Sequence, residues 1–220
     1  MSTAREEILA RVHSALADIH DGDPEVNAPI DWSYAEAVEL DGELLDVFAE
    51  RVAEYRATVV RCTPKDLPNR VASAIADLGA DSMLVPPGLE RGWLSQLPPE
   101  VRLVTEDEPL SPERLNDIAG VITAAAVGIA DTGTIIMDHG PDQGRRALTL
   151  VPDRHVCVVR ASQVVSGVAE AVARVKPAVT SGQPLTWISG PSATSDIELS
   201  RVEGVHGPRN LYVILVAETD

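Results

Sequence analysis

Residues 43–85, ELLDVFAERVAEYRATVVRCTPKDLPNRVASAIADLGADSMLV, decide the fold. Leu44, Phe48, Val52 and Tyr55 recur at spacings of three and four, which places them along one face of a helix. The run Ala57–Cys62 that follows is rich in β-branched residues and reads as a strand. Asn69–Leu78 predicts a second helix, ended by Gly79, and Ser82–Val85 a second strand. Parallel neighbours need a crossover that brings the chain back to the same edge, and the crossover helices then cover the sheet. A helix and a short apolar strand, twice over, therefore point to a mostly parallel sheet in a three-layer αβα arrangement.

The same alternation continues outward. Leu89–Leu97 suggests a third helix and Val101–Thr105 a strand, and Ser111-Pro112 supplies an N-cap with proline at the first helical position, opening a helix towards Ile118. Val121–Ala130, the turn Asp131-Thr132-Gly133 and the β-rich Thr134–Met137 read as a hairpin, although the alanine run also suits a helix. Arg145–Leu150 predicts a short helix, His155–Val159 a strand, and Val164–Val175 a helix closed by Pro177. Leu185–Ser189 and Leu211–Val216 complete the strands. Upstream, Thr3 and Glu6 form a capping box for an amphipathic helix carrying Ile8, Val12, Leu16 and Ile19. Gly22, Pro24 and Pro29 among acids then mark a linker. The expected organisation is an N-terminal helical arm and acidic linker over residues 1–31, then one α/β domain over 32–220. The arm's apolar stripe would pack on the body or on a second copy, giving a homo-oligomer through this helix.

Only seven of the 220 residues are aromatic, so the core must be built from Val, Ile, Leu and Ala. The net charge of −16 argues against nucleic acid, because phosphate binding needs clustered cations that release counterions. It equally opposes an anionic membrane surface. Residues 1–110 hold net −13 and residues 111–220 only −3, so the second half hosts an anionic ligand more easily. Neither Lys65 nor Lys176 lies in a phosphate loop of GK[ST] type. Cys62 and Cys157 stand far apart and cannot by themselves hold an iron–sulfur cluster or structural zinc. No metal site and no membrane span are expected, and a cytoplasmic setting is the simplest reading.

Four stretches carry the candidate chemistry. Asp131-Thr132-Gly133-Thr134 is a turn whose backbone N–H groups suit a carboxylate or phosphate, though a hairpin selects the same residues. Asp138-His139-Gly140-Pro141-Asp142 has metal-ligand types but reads better as a solvated loop; Arg145 and Arg146 after it suit carboxylate recognition. His155 and Cys157 share a strand face, which allows a dyad, yet the valines around them favour packing.

The fourth stretch is Gly190-Pro-Ser192-Ala-Thr194-Ser195-Asp196-Ile-Glu198 with Gly204-Val-His206-Gly207-Pro208. Gly190 follows a strand, and Ser192, Thr194 and Ser195 would open a short helix, an arrangement suited to anion capture. Ser195 and Glu198 also make a capping box that needs no other role. Asp196 and Glu198 would project about 200° apart on that helix, so only one can face a ligand, and Asp196 is the choice. His206, between glycines, suits a general acid or base as well as a purely structural role. If His206 joins Gly190 and Ser192 in one pocket, the last strand must run antiparallel to its neighbours, because ligands bind beyond the carboxyl ends of parallel strands.

Ala130-Asp-Thr-Gly-Thr-Ile135, the Gly190–Glu198 stretch and Gly204-Val-His-Gly-Pro208 resemble the signature of the LUD-domain family, and more narrowly its lactate-utilisation protein C (LutC/YkgG) type. The resemblance spans nearly the whole chain. It implies a fold similar to the sugar-phosphate isomerase and CoA-transferase group (NagB/RpiA/CoA-transferase-like). It also implies a part in oxidising L-lactate to pyruvate beside iron–sulfur partner proteins. The cluster would then sit on those partners, with no cofactor in this chain, and the pocket would take a small carboxylate or other small anion. Other readings left open are a stand-alone enzyme on a sugar phosphate, folate or CoA ester, and a non-catalytic assembly subunit.

Overall fold

The computed structural model describes residues 4–17, 37–106, 108–191, 193–195, 201–203 and 207–217. The chain divides into two compact units, Met1–Ala35 and Glu36–Asp220. In the first, helix α1 (Ala4–Ala15) has no buried residue, and Ile8, Leu9, Val12 and Leu16 are all exposed. Thr3, Ile19 and the 21–31 linker lie outside the described residues.

The second unit is built on a six-stranded sheet of β1 (Thr58–Cys62), β2 (Ser82–Val85), β3 (Arg102–Thr105), β4 (Gly120–Ala124), β7 (Arg154–Arg160) and β12 (Asn210–Val216). Its order is β1-β12-β7-β4-β2-β3, and every pairing is parallel. Helix α2 (Leu44–Glu54) precedes β1, and α3 (Leu67–Asp77) links β1 to β2, as the spacing of their apolar residues requires. α3 buries Leu67, Val71, Ala74 and Ile75 against Val156, Val158 and Ile214 on one face. α2 buries Phe48 and Val52 against Cys157, Val159 and Val213 on the other. Alternate residues of β7 thus feed opposite cores, the two-residue period of a strand buried on both faces.

The second face carries more than helices. β5 (Val127–Ile129), β6 (Thr134–Met137), β8 (Val164–Val165) and β9 (Thr186–Ile188) form a small sheet in the order β8-β5-β6-β9. Its inner side joins the α2 core, and its outer side packs Val127, Ile129 and Ile136 against Ala171 and Val175 of helix α6 (Val168–Thr180). Helices α4 (Pro112–Asn116) and α5 (Ala147–Leu150) cover Leu84 and Val121 beside β2 and β4. The Ser111 hydroxyl accepts from the Arg114 amide, the expected N-cap.

Three local expectations change. Leu89–Leu97 forms only a 3-10 turn, Arg91–Leu94, since the proline-rich flanks Pro86-Pro87 and Pro98-Pro99 leave few residues for an α-helix. Val164–Val165 is a strand, and α6 begins after Gly167, where the Glu170 carboxylate accepts from the Ser166 and Gly167 amides. Pro177 sits inside that helix, on an exposed position of its last turns, instead of ending it. Third, Ala193–Ser195 (β10) pairs antiparallel with Arg201–Glu203 (β11), so the predicted helix opening is, over Ala193–Ser195, a strand. Ser195 is therefore a strand residue, not a helix N-cap, and the cross-strand ladder supplies the backbone partners a cap would have given.

His155 and Cys157 are wholly buried, as the packing reading expects. His155 Nε2 lies 2.8 Å from Thr123 Oγ1, while Nδ1 has no partner. An orphaned N–H costs more than an orphaned lone pair, so Nε2 carries the proton and donates it to Thr123. Burial pushes the imidazole pKa down to about 4.

The His155 contribution to stability is complete above its unfolded value near 6.5 and is lost as pH falls towards about 4. Urea unfolding between pH 7 and pH 4 should therefore show a loss of about 3 kcal/mol from this residue, which His155→Leu removes. An unchanged pH profile in that variant would contradict it. Gly133, at φ 59°, leaves no room for a Cβ, which would sit 2.6 Å from the Arg51 carbonyl carbon. Gly133→Ala should cost about 2 kcal/mol in the same measurement.

Candidate functional site

The Asp131–Thr134 turn joins β5 to β6, and its backbone is largely committed to the fold. The Asp131 amide donates to Ser166 O and the Gly133 amide to Ala130 O, so neither is offered to an anion. Its hydroxyls form a chain instead. Thr132 Oγ1 donates to Thr134 Oγ1 at 2.8 Å, and Thr134 Oγ1 lies 2.9 Å from Ser189 Oγ. That chain reaches Gly190, whose φ of 84° and contact with Tyr55 exclude a side chain; a Cβ would lie 2.5 Å from Tyr55 Cβ. Two of the stretches singled out in the sequence thus meet at the end of α2.

Gly190 also lines a pocket of about 210 Å³ with Thr149, Thr186, Ser189, Gly207 and Pro208. Thr149 lies shortly before β7, and Gly207-Pro208 shortly before β12, so the pocket sits at the amino edge of the parallel sheet. The sequence ties a meeting of His206 with Gly190 and Ser192 to an antiparallel last strand, and β12 is parallel to both β1 and β7. The neighbouring Gly207 still reaches Gly190, because the strand before Gly190 is not in the main sheet. β9 is the edge of the small sheet, antiparallel to β6, and its carboxyl end lies at the amino end of β12. Gly190 and Gly207 therefore share a pocket despite the parallel strand. Ser192, Asp196 and His206 lie outside the described residues, as do the side chains of Thr194 and Ser195.

Behind Thr186 stands His139. Its Nδ1 is 3.0 Å from the Gly144 carbonyl oxygen and its Nε2 is 2.8 Å from Thr186 Oγ1. The residue adopts φ 59°, a left-handed backbone that non-glycine residues take at a cost of about 1–3 kcal/mol. Gln143 holds it there. The buried amide oxygen of Gln143 accepts from the Asp138 and His139 amides, and its nitrogen donates to Asp138 Oδ1 at 2.7 Å. The loop read from sequence as solvated is thus a clamped turn only partly open to solvent, and no group of three metal-ligating side chains occurs among the described residues. Thr186, a polar residue between Leu185 and Trp187, was the available signal.

The arginine pair divides. Arg145 is engaged with Glu106 through Nε and Nη2 and with the Leu110 carbonyl, so it braces the segment after β3. Burial opposes ionisation of Glu106, but the hydrogen bonds from Arg145 and the Leu110 amide outweigh it and hold the carboxyl below its usual range. Arg146 is exposed and has no ion pair among the described residues. Its carbonyl accepts from the Thr149 hydroxyl, which places it one turn from the pocket.

A larger cavity, about 420 Å³, opens at the carboxyl edge between Pro64, Leu67, Trp93, Arg160 and Val216. Its charges balance each other: Arg160 stacks over Trp93 at 5.3 Å and faces Glu90 at 3.9 Å. The smaller pocket joins glycine loops to three hydroxyls, and Arg146, with no ion pair among the described residues, lies one turn away in the chain, so it is the better match for a small anion.

The LUD domain model matches residues 45–216. Lactate utilization protein C of Deinococcus radiodurans is 43% identical over 214 residues, covering 97% of this chain and 95% of that one. Its counterpart in Bacillus pumilus is 25% identical, covering 96% of each chain. The crystal structure of a DUF162 family protein from Deinococcus radiodurans superimposes with a TM-score of 0.68 at 41% identity, covering 79% of this chain and 96% of that one. The chain belongs to the LUD-domain family.

Proposed function

We propose that this chain is the small component of an L-lactate utilisation system, and that it holds a short carboxylate in the pocket between Gly190 and Gly207. The likeness to a lactate utilization protein C over nearly the full length of both chains carries this reading. The pocket supports it: about 210 Å³ is below the range of drug-sized sites and suits a molecule of a few carbons. Arg146, whose carbonyl accepts from the Thr149 hydroxyl at the pocket, would turn its exposed side chain to the carboxylate, and the hydroxyls of Thr149, Thr186 and Ser189 supply polar partners.

Oxidation of lactate to pyruvate releases two electrons and two protons, and the electrons need an acceptor. The residues of this chain do not fit an iron–sulfur cluster: its two cysteines are buried on opposite faces of the main sheet, and such clusters take four thiolates. In this reading the acceptor is an iron–sulfur partner protein in the cytoplasm, and this chain binds and orients the acid for it.

Deleting the gene should abolish growth on L-lactate as sole carbon source, with recovery from a plasmid copy; normal growth in a strain lacking any second copy would refute the role. In calorimetry on the purified chain, Arg146→Gln should weaken L-lactate binding about tenfold. Arg145→Gln should leave binding nearly unchanged and lower unfolding stability by about 1 kcal/mol, its partly exposed ion pair being screened.

A further inference from the structure

Thr186 and His139 give the pocket a fixed hydrogen-bond polarity. A carbonyl oxygen only accepts, so the 3.0 Å contact between His139 Nδ1 and Gly144 O requires the ring proton on Nδ1. In the neutral ring Nε2 is then a bare lone pair. The 2.8 Å contact to Thr186 Oγ1 can be filled in one sense only, with the threonine hydroxyl donating to Nε2. A hydroxyl has a single proton, so Thr186 has none left for the pocket that it lines. Its oxygen can only accept there.

The ring has little freedom to turn away from this arrangement. The Gln143 side chain accepts from the backbone amides of both Asp138 and His139, and Gly144 itself donates its amide to the Gly140 carbonyl. The left-handed backbone at His139 is held by the same contacts that aim its ring at Thr186. Thr186 is fixed in turn by β9, where it stands opposite Met137 in register, and is 9% exposed.

We infer that Thr186 is a specificity residue that accepts a hydrogen bond from a ligand hydroxyl, and that His139 is the positioning residue that sets this polarity. The pocket then favours a 2-hydroxy acid over the matching 2-keto acid. A ligand hydroxyl donates to Thr186 Oγ1, whereas a keto oxygen placed there meets another acceptor. The inference rests on the short-carboxylate reading of the pocket given above.

The test compares L-lactate and pyruvate by calorimetry on the full chain at pH 8, together with nitrogen-15 NMR of the histidine rings. The wild type should bind L-lactate about tenfold more tightly than pyruvate, and the His139 signals should show a protonated Nδ1 and a bare Nε2. Thr186→Val should abolish the preference while Thr186→Ser keeps it. His139→Asn, which tolerates the left-handed backbone, should also abolish it, and serves if the valine variant does not fold. Equal wild-type affinities, a preference that survives in Thr186→Val or His139→Asn, or a proton on Nε2 would overturn the inference. Failure of the wild type to bind either acid would instead overturn the carboxylate reading, and this assignment with it.

Discussion

The antiparallel pairing of β9 with β6 is the contact on which the site depends. It adds an edge strand to the small sheet, and it runs the chain from Thr186 to Ile188 back towards the amino edge of the parallel sheet. The Thr134–Ser189 hydroxyl contact lies just beyond its last paired residues. Without that pairing, Gly190 would have no reason to lie beside Gly207, since the segments leading to them belong to different sheets. Nor would Thr186 meet His139, which stands two residues after β6.

This arrangement places a pocket where an α/β sheet usually has none. The general rule sets ligands beyond the carboxyl ends of parallel strands, because the crossover loops open there. Here the main sheet has a cavity at that edge, but Arg160, Trp93 and Glu90 already satisfy one another across it. The small sheet supplies a different geometry. Antiparallel strands return on themselves, so the β9 end can deliver glycine and hydroxyl groups to the opposite edge. Close packing makes the delivery specific: Gly133 against Arg51 and Gly190 against Tyr55 seat both turns on α2 without space for a side chain.

Much of the fold was legible in the sequence. The helical stripe from Leu44 to Tyr55, the β-branched run before Cys62 and the short strand Ser82–Val85 appear where periodicity places them, because each buries one face in a core that tolerates little else. The hairpin around Asp131–Gly133 was also readable from its turn residues. Sheet membership was not. Nothing local in Leu185–Ser189 says whether it joins the parallel or the antiparallel sheet. The Ser195 and Glu198 spacing suggested a helix cap, yet Thr194 and Val202 face each other in an antiparallel ladder, a partner eight positions away in sequence. Arg145 looked free for a ligand because Glu106 stands 39 positions upstream. His139 looked solvated because the clamp from Gln143 and the contact to Thr186 are tertiary facts.

In the proposed function the small acid sits in the amino-edge pocket and not in the larger carboxyl-edge cavity. A crystal structure of the full chain soaked in L-lactate tests this most directly. The ligand should lie between Ser189-Gly190 and Gly207-Pro208, with its hydroxyl within hydrogen-bond distance of Thr186 Oγ1. Lactate seated instead on Arg160 and Trp93, with the amino-edge pocket empty, would contradict it.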